Sequence, residues 1–172
     1  MAFSTNNLLG ANLALTYAPI SASTPDIPGL PYALGQTTLG TDGTQWVFVV
    51  ATGGAITQYD LVGIDENFVA QPLTIVNAMA GYRVGAAQVA FTSGYYGWVV
   101  INGSNISVRA AGACAKDAVL YITATPGVVD DAQTDTSVNA QISGLVAIVD
   151  NSDTSVTVAV EMMMVWPKSA AI

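Results

Sequence analysis

The stretch Gly81 to Ala110, GYRVGAAQVAFTSGYYGWVVINGSNISVRA, constrains this chain more than any other, because it reads as three strands divided by two turns. From Tyr82 to Phe91 small and branched apolar residues run with only Arg83 and Gln88 as polar breaks, and Thr92-Ser93-Gly94 then turns the chain. Tyr95, Tyr96, Trp98, Val99, Val100 and Ile101 are aromatic or β-branched, the residue types that fit a pleated, packed surface. Asn102-Gly103-Ser104-Asn105 follows with the composition of a tight hairpin turn, ahead of Ile106, Val108 and Ala110. A body organised around this stretch is β.

Other segments extend the pattern. Thr44 to Ala51, TQWVFVVA, is a strand bounded by Asp42-Gly43 and Gly53-Gly54. Tyr59 to Ile64 is another, Asp65-Glu66-Asn67 turns it, and Phe68 to Ala70 returns. A second copy of this arrangement lies downstream: Cys114 and Val119-Leu120-Tyr121-Ile122 repeat the spacing of Ile56 and Leu61-Val62-Gly63-Ile64, Thr125-Pro126-Gly127 supplies the turn, and Val128-Val129 the return. Gly85-Ala86-Ala87 and Gly144-Leu145-Val146 continue the match. The expectation is two similar β units joined in one compact barrel or sandwich, so that few strand edges stay exposed. Asp130 to Asn139 reads as a surface loop. Val156, Val158 and Val160 alternate with Ser155, Thr157 and Ala159 at the two-residue period of a strand. Met162 to Trp166 is apolar on both faces, as in a strand buried on both sides or one entering a subunit contact, and Pro167 is expected to end it. No long helical period is present, and the fold class is all-β.

Residues 1–43 differ from the body at 44–172. Pro19, Pro25, Pro28 and Pro31 alternate with Gly29, Gly35, Gly40 and Gly43, a density of breakers that excludes a helix or a central strand. Leu8, Leu9, Leu13, Leu15, Tyr17, Ile20, Leu30, Tyr32 and Leu34 give the segment more apolar content than a solvated tail carries. It reads as an extended arm that docks on a neighbouring surface, with a floppy end or a short helix over Asn7 to Thr16 as the alternatives.

The 172 residues contain only 9% Asp, Glu, Lys and Arg, against roughly 25% in ordinary soluble domains. With so few charges, either Ser, Thr, Asn, Gln and Gly cover the surface or apolar surface is buried against other subunits, and the second is the expectation. Tyr95, Tyr96, Trp98, Met162, Met163, Met164 and Trp166 are the candidates for that contact. The formal net charge is −8, and the four basic residues, Arg83, Arg109, Lys116 and Lys168, are scattered through the sequence. Phosphate binding needs clustered cations, so nucleic acid is not an expected partner. Neither is a membrane: no apolar run reaches the eighteen or so residues of a helical span, the N-terminus lacks a basic signal-peptide region, and the strands do not alternate as those of an outer-membrane barrel do. The single cysteine, Cys114 in AAGACA, reads as a small core residue.

The chain has no histidine. The commonest general base and metal ligand is therefore missing, and the Ser-His-Asp and Cys-His arrangements with it. Lys116-Asp117 reads as a solvated pair in a turn. Asp65-Glu66 and Asp130-Asp131, with Asp135, sit in expected turns without the ligand spacing of a calcium loop. The triplets beginning at Asn102 and Asn105 fit glycosylation only on a secretory route. Neither an enzyme nor a cofactor is expected. A sugar platform at Tyr95-Tyr96-Trp98 is the competing use of those aromatics.

The runs YDLVGIDENFVAQPLT, GYRVGAAQVAF, YYGWVVINGSNISVRA and KDAVLYITATPGVVDD, within residues 44 to 165, resemble the decoration or cement proteins that coat the capsids of tailed bacteriophages. The resemblance implies a compact β domain, a homotrimer seated on the exterior of the virion after synthesis in the host cytoplasm, and binding to the major capsid protein through an extended terminal arm. It brings no active-site motif. The function expected is to bind and stabilise the phage head; the alternative is a carbohydrate-binding or host-adhesion module on the virion.

Overall fold

A computed structural model describes residues 11–19, 29–133, 140–152 and 157–171, of which residue 140 and residues 157–171 are described by their backbone. Among them are eleven strands and one short helix: β1 Thr16–Tyr17, β2 Thr37–Leu39, β3 Gln45–Ala51, β4 Leu61–Ile64, β5 Val69–Pro72, α1 Ile75–Met79, β6 Arg83–Ala86, β7 Tyr96–Ala111, β8 Leu120–Ile122, β9 Val129–Asp130, β10 Ala140–Ala147 and β11 Thr157–Ala171. The all-β expectation holds.

Strand β7 is the spine. Its first half pairs antiparallel with β3, setting Phe48 opposite Trp98. β3 runs parallel to β5, β5 antiparallel to β4, β4 antiparallel to β6, and β6 returns to β7 at Ala86 and Val100. These five strands close a barrel, which removes the open edges along which sheets aggregate. From the second half of β7 the sheet continues through a parallel pairing with β9, then β8, β10 and β11, and β11 lies back along β7 from Asn102 to Ala111.

Side chains of β3 alternate between two cores. Val47, Val49 and Ala51 join Ile56, Val62, Ile64, Ala70, Phe91 and Val99 inside the barrel. Trp46 and Phe48 point the other way, into a larger cluster with Trp98, Val100, Val108, Leu120, Ile122 and Ile142. A strand buried on both faces has no polar face to show, which is why TQWVFVVA is nearly continuous in apolar residues.

Three local expectations change. Asn102-Gly103-Ser104-Asn105 does not turn: β7 passes straight through it, although Gly103 has φ 140° and Asn105 φ 56°. The two positive φ values are absorbed in an irregularity, where the register with β11 shifts between Met164↔Gly103 and Met162↔Ile106, and a Cβ on Gly103 would stand 2.7 Å from the Thr44 side chain. Pairing along the whole strand outweighs the local turn preference. Pro167 does not end β11, which runs to Ala171. The register with β10 jumps from Leu145↔Met164 to Ser143↔Lys168, so the proline falls where the ladder is interrupted and its missing N–H costs no bond. Helix α1 was not expected. Thr74 caps it, accepting from the Asn77 amide at 3.3 Å while Asn77 Oδ1 accepts from the Thr74 amide at 2.7 Å, a capping box with Asn in the place usually held by Glu or Gln.

The boundary expected at 43/44 falls inside a hairpin, since β2 pairs with β3 from Thr37↔Val47 to Leu39↔Gln45. β1 pairs with β7 at Thr16↔Gly97 and Tyr17↔Tyr96. The described parts of the arm therefore lie on the chain's own body.

Candidate functional site

Five aromatic rings meet on the outer face of β3 and β7. Tyr32 lies edge-on to Tyr17 at 6.1 Å, to Phe48 at 5.3 Å and to Trp98 at 5.0 Å between ring centroids, and Phe48, the most connected of the five, is edge-on to Tyr17 at 5.9 Å. Phe48 also meets Trp98 at 5.1 Å edge-on and Tyr96 at 6.3 Å stacked. Offset and edge-on contacts of this kind add to the hydrophobic term because ring faces are negative and ring edges positive. β1 pairing and burial against Phe48 hold Tyr17 here, and burial, followed by the neighbouring Tyr32, raises its phenol above the ordinary tyrosine value.

This placement corrects one candidate for the subunit contact. Trp98 is 0% exposed, inside the chain's own core, and its indole nitrogen is buried without a hydrogen-bond partner. A strand of alternating faces directs Trp98 and Val99 into the two cores, so no face of this tryptophan remains for another subunit or for a sugar. Tyr95 and Tyr96 are half-buried. Tyr96 stacks on Phe48, leaving Tyr95 as the aromatic of that run without a ring partner among the described residues. The side chains of Met162, Met163, Met164 and Trp166 lie outside the described residues, although their backbone forms part of β11.

Of the arm candidates, Leu13, Tyr17 and Tyr32 pack against the larger core cluster. Leu30 is half-buried and Leu15 is exposed. Leu8, Leu9 and Ile20 lie outside the described residues, as does Asp135.

The ionisable groups serve the backbone. Asp60, 2% exposed, makes an ion pair of 2.5 Å with Arg109, and its second oxygen accepts from the Thr57 amide at 2.8 Å. The pair ties the turn before β4 to the C-terminal end of β7. Gly127, at φ 77°, abuts it so closely that an added Cβ would stand 2.6 Å from the Asp60 carboxyl carbon. The expected turn carboxylates behave as turn residues: Asp65 accepts from the Asn67 and Val69 amides at 2.9 and 2.8 Å. Asp131 and Asp150 accept from the Ala115 and Lys116 amides, each at 2.8 Å. Desolvation raises the Asp130 carboxyl, with Asp131 adding to the effect. Burial, then the charges of Asp131 and Asp130, push the Cys114 thiol up to about 11, which leaves almost no thiolate at neutral pH. Among the described residues no group of three His, Cys, Asp or Glu gathers to hold a metal ion, and no helix is long and apolar enough to cross a membrane.

What remains at the surface is suited to contact. Leu39, Val76 and Met79 are 70%, 78% and 62% exposed. Arg83 holds its guanidinium 4.9 Å above the Phe68 ring, and Lys168 is its cross-strand neighbour on β11. Sequence reasoning missed both the Asp60–Arg109 pair and this basic neighbourhood, because the partners are 49 and 85 residues apart and no spacing rule links them. No family model matches the chain, and a search of curated proteins found no match either.

Proposed function

We propose that this chain is a structural virion protein that binds the outer surface of the major capsid protein as a homotrimer and stabilises a phage head. The observation that carries the reading is how the side chains capable of chemistry or stacking are used. Asp60 and Arg109 join two parts of the sheet, Asp65, Asp131 and Asp150 hold backbone amides, and all five clustered rings have ring partners within the chain. Among the described residues the outer surface is left with exposed apolar side chains and few charges, which suits broad protein contact, and no nucleophile is paired with a base there.

We further infer that the body is built from two similar units. β3, β5, β4, β6 and β7 are joined in the same order and with the same directions as β7, β9, β8, β10 and β11. The Tyr59 amide donates to Ala87 at 2.6 Å, and the Asp117 amide to Ala147 at 3.0 Å. Tyr59 and Asp117 share a positive φ, 71° and 60°. The bridge Ile56↔Phe91 has its counterpart in Cys114↔Asn151. A body of two linked rings would make a stiff clamp for a shell.

The test is reconstitution on shells that lack this protein, measuring bound copies and rupture temperature, with a glycan array run on the same sample. Saturable binding and a higher rupture temperature are expected. Absence of shell binding together with glycan binding would overturn the proposal in favour of adhesion, a reading weakened by the burial of Trp98 and the stacking of Tyr96 on Phe48.

A further inference from the structure

We propose that Arg83, with Lys168 opposite it and the exposed face of α1 beside it, is the surface on which a second copy of this chain docks, head to tail, through that copy's acidic face. The proposal rests on the homo-oligomer reading above and specifies where its contact lies.

The argument starts from how scarce cations are. Of the four in the sequence, Arg109 is tied to Asp60, and Lys116 sits in a turn whose amide is held by Asp150. The other two are direct cross-strand partners: Lys168↔Arg83 is the register pair that joins β11 to β6. Like charges set opposite one another on a sheet repel, and in a chain of net charge −8 nothing about the fold requires the two to meet. Arg83 is exposed and makes no ion pair among the described residues. The carboxylate nearest in the ladder, Asp65 after Arg83's other neighbour Ile64, is turned into its own loop by two amides. Phe68 beneath the guanidinium fixes the charge in place without neutralising it.

Apolar surface adjoins this charge. α1 lies against β11 and leads through Ala80–Tyr82 directly into Arg83. Val76 and Met79, three residues apart and so on one helix face, are 78% and 62% exposed. Aliphatic side chains around a pre-positioned cation are the ordinary make-up of a protein contact, with methionine able to adapt to a facing surface.

Charge complementarity selects the occupant. Two copies of net charge −8 repel unless contact occurs where the sign reverses, and Arg83–Lys168 is that place. Carboxylates gather elsewhere, at the Ala115–Asp117 turn, where Asp131 and Asp150 both reach backbone amides. A basic patch and an acidic patch at different places on one molecule give a heterologous contact, which repeated head to tail closes into a ring where its rotation allows and otherwise extends as a filament.

Sedimentation velocity on the full chain, across protein concentration and between about 50 and 500 mM salt, tests the assignment. The wild type should be an oligomer that weakens as salt rises. Arg83→Glu should raise its dissociation constant about tenfold or more at low salt, and Val76→Lys with Met79→Lys should do the same at any salt. Combining Arg83→Glu with Asp131→Lys or Asp150→Lys should restore assembly. A monomeric wild type would overturn both this proposal and the oligomer reading. An oligomer indifferent to all three surface substitutions, with unchanged circular dichroism, would overturn the assignment alone. If Arg83→Glu abolishes shell binding but leaves the oligomer intact, the patch faces the capsid and the second-copy assignment is refuted.

Discussion

Replacing Tyr32 by alanine is the sharpest probe of whether residues 11–43 belong to the body. Tyr32 contributes three edge-on ring contacts, to Tyr17, Phe48 and Trp98, each worth about 0.5–1.5 kcal/mol beyond simple burial. Their sum is an upper bound, because contacts that share one ring are not additive. Truncating a fully buried aromatic costs about 3–5 kcal/mol, and Tyr32 is half-buried. The two considerations meet at about 2–3 kcal/mol. For a chain of this size that corresponds to a fall in Tm of about 5–10 °C. Urea unfolding followed by tryptophan fluorescence measures it, since Trp98 lies under the lost ring. Tyr32→Phe, which keeps all three contacts, should stay within about 0.5 kcal/mol of wild type. Limited proteolysis should show cleavage within residues 11–35 accelerated in Tyr32→Ala. A loss below about 0.5 kcal/mol with unchanged proteolysis would refute the reasoning and restore the picture of an arm independent of the body.

Removing residues 1–40 should destabilise the body more than Tyr32→Ala does and expose Phe48 and Trp98, seen as a red shift in tryptophan emission and binding of a hydrophobic dye. Arg109→Met leaves the buried Asp60 charge unpaired and should cost about 3–5 kcal/mol, less when Asp60→Asn is added, as chemical denaturation of the single and double variants will report. Cys114 should resist a thiol reagent at pH 8 in the folded protein and react at once in denaturant, because its thiol is pushed up to about 11; rapid reaction in the folded state would contradict its burial. Asp42 is held below its ordinary value of 3.8, first by the Thr44 hydroxyl and then by the Thr44 amide. Its contribution is therefore present above that value and lost as pH falls through the lower folded value. Asp42→Asn should accordingly narrow its stability gap to wild type in acid, and a gap constant with pH would exclude the effect.

Individual strands and turns were legible where the signals were local. Gln45–Ala51 falls within the expected TQWVFVVA, the Thr92–Gly94 turn stands with Gly94 at φ 87°, and Thr125-Pro126-Gly127 turns between β8 and β9 as its composition requires. What failed was decided by distant partners. Asn102–Asn105 has the residues of a hairpin, but β11 pairs with β7 on both sides of it, and several ladder bonds outweigh one turn preference. Pro167 ended the expected strand because nothing in the sequence revealed a bulge opposite Gly144. Within residues 11–43, the two- and three-residue strands β1 and β2 are too short to show a period in the sequence. In the candidate site, composition led only to the expectation of a contact surface, while Asp60 with Arg109 and Arg83 with Lys168 became neighbours only through strand register.

Strand β7 has one further consequence. Its sixteen residues are a wall common to the barrel formed with β3, β4, β5 and β6 and to the circuit formed with β8, β9, β10 and β11. Neither side can release this strand without opening the other, so partial unfolding has no natural seam. Amide hydrogens at the centre of β7 should then exchange with solvent only through complete unfolding, all with one free energy. Whatever force such a protein bears, it yields in a single step and not by halves.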